Sequence, residues 1–236
     1  MPQSLPVGQQ PKRKKNKRFL RKFVEFKGVR KLSLEQYRGC VKNLYDGPVG
    51  AVLSLGSLVS LHEPLVGHMI RKKKFDASRF QSILDVGSGA GQILGHLLKE
   101  ADADTKMIAF DLSHQMLKRA RHRIKNDRPK YIAGDMMNMP FSDATFDCIT
   151  CGWVIEHLPD PRPGLQEFER VLKPGGSVLL LATEDTLQGA FTSRTWKCRT
   201  YNRKELETAC DDWACPGKKN CGFLRCIASS KWVAFW

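Results

Sequence analysis

The 236-residue sequence predicts an α/β fold: a doubly wound, mostly parallel sheet of seven strands with a C-terminal antiparallel strand, plus an N-terminal helical extension. Three observations carry this expectation. From residue 80 onward, short apolar runs alternate with segments of helical periodicity. The first run leads straight into a glycine-rich turn, Asp85-Val86-Gly87-Ser88-Gly89-Ala90-Gly91. Acidic residues then close successive runs, at Asp85, Asp111 and Asp135. Strand–helix alternation implies parallel strands with right-handed helical crossovers, because a tight turn cannot join parallel neighbours.

Ser82-Ile83-Leu84-Asp85 reads as the first strand, and the turn after it opens a helix with Ile93, Leu94, Leu97 and Leu98 facing inward. Met107–Phe110 is the second strand. Ser113 then caps a helix that carries Met116, Leu117 and Ala120 on its inner face. Lys130–Ala133 and Phe146–Cys151 are the third and fourth strands. Pro163, favoured where a helix begins because its missing N–H is not needed there, opens a helix burying Leu165, Phe168, Val171 and Leu172. Lys173-Pro174-Gly175-Gly176 stops that helix, and Ser177–Ala182 is the fifth strand. A further helix is expected over 203–210, then strands over 222–228 and 231–236 around a turn at Ser229-Ser230. There is no internal repeat.

Ahead of this domain (80–236), the extension over 19–79 has apolar residues at helical spacing: Phe19, Phe23 and Phe26, then Leu34, Tyr37, Val41 and Leu44 behind an N-cap at Ser33. Between Pro48 and Gly67 lies a Leu/Val-rich stretch broken by Gly50, Gly56 and Pro64. Its uninterrupted part, Val49–Leu61, is shorter than the roughly 20 residues a spanning helix needs, and His62 and Glu63 end it. A helix over the mouth of the site or an interfacial segment is expected, with an ordinary core helix as the alternative.

Residues 1–18 lack periodicity and read as a disordered basic tail. A hydrophobic share of 42% suffices for a packed core. Of the net charge of +15, residues 1–40 supply twelve basic against two acidic side chains, or +10. Such an arm in front of a nearly balanced domain is a handle for phosphate-bearing partners, or a solvated tail. Met1–Gln10 lacks the apolar centre of an export signal, and eight cysteines in a chain of this size then read as reduced thiols. A cytoplasmic protein is expected.

Glycines let a turn bring backbone N–H groups close to a ligand, and the helix N-terminus behind them favours a negative group. The spacing Gly87-x-Gly89-x-Gly91 departs from the Gly-x-Gly-x-x-Gly of dinucleotide sites. Asp85 stands where it meets a ligand ammonium, which a dinucleotide does not offer. An amino-acid-bearing cofactor is therefore favoured over a nicotinamide one. Asp111 is placed to accept from both ribose hydroxyls, and Asp135 from an adenine amino group, with Met136 against the ring. Each acid alone is more often a cap or a surface residue. Three at successive strand ends, where open α/β sheets bind ligands, are more specific.

These motifs, with Met139-Pro140-Phe141-Ser142-Asp143-Ala144-Thr145-Phe146-Asp147, Val154-Ile155-Glu156-His157-Leu158-Pro159-Asp160-Pro161 and Arg170-Val171-Leu172-Lys173-Pro174-Gly175-Gly176, resemble class I methyltransferases. The similarity is to the small-molecule branch that includes quinone-biosynthesis enzymes, over roughly residues 80–185. The resemblance implies a Rossmann-like fold and S-adenosyl-L-methionine as cofactor. It places Asp85, Gly87, Ser88, Gly89, Gly91, Asp111, Leu112, Asp135 and Met136 against that cofactor, and Cys151-Gly152-Trp153 on the methyl-transfer side, with Gly152 and Trp153 in contact.

Methyl transfer is an in-line displacement that needs alignment and exclusion of water, and a base only where the acceptor must lose a proton early. His157 is the candidate base; a loop-holding hydrogen bond is its competing role.

Cys148 and Cys151 are three apart on a strand, so their thiols diverge and do not hold a metal. Cys210, Cys215, Cys221 and Cys226 lack the close pairs of common zinc modules, and no metal is expected. Amino-methylating nucleic-acid enzymes carry Asn or Asp, two prolines and an aromatic where this chain has Cys151-Gly152-Trp153-Val154, so nucleic acid is a less favoured partner. The expected acceptor is a small, lipophilic molecule, with residues 12–31 against an anionic membrane at roughly 1 kcal/mol per basic residue. The alternatives are an RNA/DNA methyltransferase and a non-catalytic cofactor-binding regulator.

Overall fold

The structure is a computed structural model that describes residues 33–46, 62–71, 75–183, 185–196, 198–202, 224–228 and 233–234. Its centre is a parallel sheet of β1 (Ser82–Val86), β2 (Lys106–Asp111), β3 (Lys130–Ala133), β4 (Phe146–Gly152) and β5 (Leu172–Ala182), in the order β3-β2-β1-β4-β5. The chain builds outward from β1 to β3, then returns to set β4 beside β1. That reversal is the switch point of the sheet, and the carboxyl ends of β1 and β4 beside it are where open α/β sheets take their ligands.

Both faces of the sheet are covered. All five residues of β1 are buried, as a parallel strand between two helical layers requires. Ile83, Met107, Ala109, Cys148, Leu179 and Leu181 face one core. It is closed by α2 (His62–Arg71), α3 (Gln92–Glu100) and α4 (His114–Ile124), through Val66, Met69, Ile70, Leu94, Leu97 and Leu117. Leu84, Val86, Ile149, Cys151, Val178 and Leu180 face the other, closed by Leu165, Phe168 and Val171 of α5 (Arg162–Val171). Cys148 and Cys151 thus lie in opposite cores, as strand periodicity requires.

Local signals hold where they can be checked. Ser113 Oγ accepts from Met116 N at 3.0 Å at the start of α4. Helix α1 (Leu34–Asp46) opens with a reciprocal capping box: Gln36 N donates to Ser33 Oγ at 3.2 Å and Ser33 N to Gln36 Oε1 at 2.9 Å.

One boundary needs correction and two helix positions are new. His62 and Glu63, where the apolar run stops, begin α2, whose Val66, Met69 and Ile70 are core residues. The fifth strand begins at Leu172 rather than Ser177. Phe146 pairs with Leu172 but Cys148 with Ser177, so the extra residues of Lys173-Pro174-Gly175-Gly176 bulge out within the strand, with Gly175 at φ 78°. Pro174, which cannot donate to the ladder, is tolerated at such a bulge. Finally, a helix over Leu187–Trp196 carried no signal strong enough to expect. The basic tail, the helix at Phe19–Phe26, the run Val49–Leu61 and the helix over 203–210 lie outside the described residues. Among the described residues no helix is long and apolar enough to cross a membrane.

Arg170 pins the segment after β3 onto α5. Its Nη1 donates to the Phe141 carbonyl at 2.6 Å and its Nη2 to the Met139 carbonyl at 2.9 Å. Glu167 and Asp143 hold the guanidinium from the side. Arg170→Met is expected to lower stability by about 1–2 kcal/mol, since two carbonyls lose a charged donor. Urea denaturation checks this. A loss under about 0.5 kcal/mol, the range of an ordinary surface change, would mean that the edge-to-face contacts of Phe141 with Phe110 and Phe146 hold the segment alone.

Candidate functional site

The glycine turn after β1 is fixed by main-chain bonds. Gly87 N and Ser88 N both donate to the Phe110 carbonyl, at 2.7 and 3.1 Å, and Gly91 N donates to the Ser88 carbonyl at 2.8 Å. Gly87, Gly89 and Gly91 all have positive φ, at 64°, 55° and 80°. At Gly87 space also forbids a side chain, because a Cβ would stand 2.0 Å from Val154 Cγ2. The loop is thereby pressed under the segment that follows β4, with α3 starting at its end.

Asp85 is 1% exposed. Its Oδ1 accepts from Thr150 Oγ1 at 2.7 Å, across the pairing of β1 with β4, while Oδ2 has no hydrogen-bond partner in the protein. Burial pushes its carboxyl up to about 6, against the lowering influence of the Thr150 and Ser88 hydroxyls and with a smaller push from Asp111. A buried carboxylate with an unused oxygen is costly unless a cationic donor reaches it.

Asp111, half-buried, accepts from Gly89 N on Oδ2 and from Ser113 N on Oδ1, both at 2.8 Å. It therefore ties the glycine loop to the end of β2, with Leu112 beside it. Each oxygen keeps one acceptor position for a ligand, fewer than a free carboxylate offers. Burial raises its pKa to about 6 in spite of these two amides.

Asp135 accepts from Met137 N at 2.9 Å on Oδ1. On Oδ2 it holds Arg38, with Nε at 2.7 Å and Nη2 at 2.6 Å. Met136 does not line the site with its side chain. It is 5% exposed, within the core that includes Leu158 and Leu165, and a Cβ on Gly164 would lie 2.8 Å from its Cε. An unbranched thioether beside a glycine of α5 fills that gap, and the core wins it from the site.

At the end of β4, Gly152 has Ile93 Cδ1 2.4 Å from where a Cβ would sit. Trp153 follows with φ 57°, its N–H donating to the Leu181 carbonyl at 2.8 Å. A bulky aromatic in the left-handed region costs about 1–3 kcal/mol and persists only where packing over-determines it. Next comes a single turn, Ile155–His157. His157 is half-buried, and the Tyr45 hydroxyl lies 3.2 Å from its Nε2 with the rings edge to face. Desolvation pushes the imidazole down to about 4, so it is neutral at ordinary pH.

Sequence reasoning missed several participants. Glu156 is 2% exposed and clamps β5: Thr183 N and Thr183 Oγ1 donate to its carboxylate at 2.6 and 2.9 Å. Burial raises its pKa to about 7 against these bonds. Arg199 N donates to the Glu156 carbonyl at 2.8 Å and Tyr201 Oη to the Ile155 carbonyl at 2.9 Å, so residues 199–201 wall this side. Thr150, Arg38 and Tyr45 were missed too. Glu156 stood next to His157 in a motif already noted; the others had no local signal.

Comparison with known proteins agrees with this geometry. Residues 84–180 match the family model described as a methyltransferase domain. A demethylmenaquinone methyltransferase of Chlorobaculum tepidum is 30% identical over 148 residues, 61% of this chain and 60% of that protein. Across curated relatives the share of their length that the chain spans runs from 31% to 60% in the first two. Among solved structures, geranyl diphosphate C-methyltransferase from Streptomyces coelicolor has a TM-score of 0.53 at 16% identity, covering 64% of this chain and 60% of that one. The [4+2]-cyclase SpnF has a TM-score of 0.51 at 20% identity, covering 64% and 56%. These two likenesses are of fold.

Proposed function

We propose, from the match of residues 84–180 to a methyltransferase domain, that the chain is a class I methyltransferase related to the quinone-biosynthesis enzymes, which binds S-adenosyl-L-methionine and transfers its methyl group to a small, lipophilic acceptor. The observation that carries this is Asp85: a buried carboxylate at the switch point, with one oxygen unpartnered, beside a turn that has no room for a side chain at Gly87. An amino-acid ammonium satisfies that oxygen. The amides of the turn and the start of α3 suit the carboxylate of the same amino acid.

Asp85, Gly87, Ser88, Gly89 and Gly91 would hold the amino-acid end. Asp111, with Leu112, would hold the ribose through its two remaining acceptor positions. Asp135 would hold the adenine, with Met136 contributing main chain only. Gly152 and Trp153 would flank the methyl, where the fixed backbone of Trp153 keeps the wall from drifting as the acceptor approaches. The cofactor supplies an electrophilic methyl on a sulfonium. The protein's part is alignment, and exclusion of water by the walls after β4 and β5. His157 stands at the acceptor end with the Tyr45 hydroxyl on its Nε2; the burial that keeps it neutral also weakens it as a base, so its part is to orient the acceptor through this pair.

The proposal extends to a domain over 80–236, an extension over 19–79 and a basic tail over 1–18. Seven strands are part of it: the pairing of Val178–Ala182 with Leu224–Ala228, and of Ile227 and Ala228 with Ala234 and Val233, supports a sixth strand parallel to β5 and a last antiparallel one. Contact of residues 12–31 with anionic lipid also belongs here, supported by their charge and by the menaquinone-related name of the relative.

Calorimetry with S-adenosylmethionine on the parent and on Asp111→Ala tests the assignment. The variant should bind roughly 30- to 100-fold more weakly, the scale of one or two lost bonds to a charged group. Equal binding by both proteins, or none by the parent, overturns it. Incubation of the enzyme with labelled cofactor and fractionated extract then identifies the acceptor, with label in the lipid fraction as the expected result.

A further inference from the structure

Helix α1 reaches the site at both ends. Arg38 holds Asp135 at the adenine end, and Tyr45 meets His157 at the acceptor end. Asp46 accepts from the Ser113 hydroxyl, and the Tyr45 carbonyl accepts from Arg119 Nη1 at 2.8 Å. Arg38 and Tyr45 are seven residues, two turns, apart, so one face of α1 spans roughly 10 Å from one end of the site to the other. Three anchors at the C-terminal end of α1 hold the helix independently of Arg38.

We propose that Arg38 sets the affinity of this site for its cofactor by competing with the adenine amino group for Asp135 Oδ2. The inference rests on the cofactor reading above. A carboxylate oxygen offers about two acceptor positions, and Arg38 Nε and Nη2 take both on Oδ2. Met137 N occupies one position on Oδ1. An adenine amine that uses Oδ2 must displace a guanidinium nitrogen. The competition is shallow, because the Arg38 side chain is 45% exposed and an ion pair at a wet rim contributes little. The long side chain can leave Asp135 while Tyr45 and Asp46 keep α1 in place. Arg38 is therefore a positioning residue that tunes the adenine pocket.

The test titrates the full chain, parent and Arg38→Ala, with S-adenosylhomocysteine and with S-inosylhomocysteine, whose purine carries a keto oxygen in place of the amine. Arg38→Ala should bind the adenosyl ligand up to about fivefold more tightly, the reach of an exposed ion pair. It should not tighten the inosyl ligand, which has no amine to compete. Added salt should strengthen adenosyl binding by the parent and leave the variant unmoved. Weaker or equal adenosyl binding by Arg38→Ala overturns the proposal. So does an equal gain for both ligands, which would mean simple obstruction by the helix. Tyr45→Phe, which loosens the same helix and keeps Arg38, should leave the adenosyl-to-inosyl ratio as in the parent; if it reproduces the Arg38→Ala gain, the proposal falls. No binding of any ligand by either protein overturns the cofactor reading itself.

Discussion

Replacing Gly87 with alanine is expected to abolish cofactor binding and to cost the fold about 2–5 kcal/mol. Two penalties coincide there. The backbone has φ 64°, where a Cβ costs about 1–2 kcal/mol. The new Cβ would also stand 2.0 Å from Val154 Cγ2, and overpacking of this kind costs about 1–3 kcal/mol. Val154 has little freedom to yield, since Trp153 before it is hydrogen-bonded to Leu181 in a left-handed conformation and Ile155 after it is fully buried. The loop would have to move instead, and Asp85 and the Gly89 amide would move with it. Gly89→Ala is the contrast: φ is also positive, at 55°, but the nearest atom to its Cβ is 3.6 Å away, so about 1 kcal/mol of backbone strain is the only cost. Denaturant unfolding and calorimetry on the two variants read both effects. In Gly87→Ala/Val154→Ala the clash term should vanish and the backbone term persist. Cofactor binding by Gly87→Ala within twofold of the parent would show that the tight seat under Val154 is dispensable.

Cofactor affinity should be flat above about pH 7 and fall as the pH drops through 6, by up to about 100-fold at pH 5. Burial lifts both Asp85 and Asp111 to about 6. In the proposed assignment the ammonium and the ribose hydroxyls would bind the ionised carboxylates, so each protonation would remove a partner at about tenfold per pH unit below 6. Stability of the free protein should move the other way. Asp85, Asp111 and Glu156 have folded pKa values of about 6, 6 and 7, above their unfolded values, so the stability they add is fully present at low pH and lost as pH rises through 6–7. His157 opposes them. Its folded value of about 4 lies below its unfolded one, so its contribution is present above about pH 6.5 and is lost as pH falls towards 4. Between pH 7 and 6 the carboxyls prevail, and affinity falls while stability rises. That divergence separates loss of binding from unfolding. Asp85→Asn should halve the logarithmic slope of the affinity, and affinity constant from pH 7.5 to 5 would rule out the carboxylates as ligand contacts.

Much of the architecture was legible along the chain because its determinants are local. Ser33 and Ser113 cap helices through residues three positions away. The glycines of 87–91 declare a turn with positive φ, and the three acids declare strand ends, wherever the strands later pair. Amphipathic period alone assigned Leu165, Phe168 and Val171 to one face and put Cys148 and Cys151 on opposite sides of β4. By itself, then, the sequence determined the strand–helix order, the position of the glycine turn and the three acids near the strand ends.

Tertiary structure alone decided what those carboxylates meet. Thr150 reaches Asp85 only because β4 returns beside β1 in a register that sets the two opposite each other, 65 residues apart in sequence. Arg38 reaches Asp135 across 97 residues, through the docking of one helix. Met136 lies in the core because Gly164 of α5 leaves room there that its thioether fills. Glu156 became a buried clamp because Thr183, the residue after β5, donates to its carboxylate. Periodicity and capping act within a turn or two of chain, whereas register and helix docking are set by burying apolar area from distant segments together, which no local window of sequence contains.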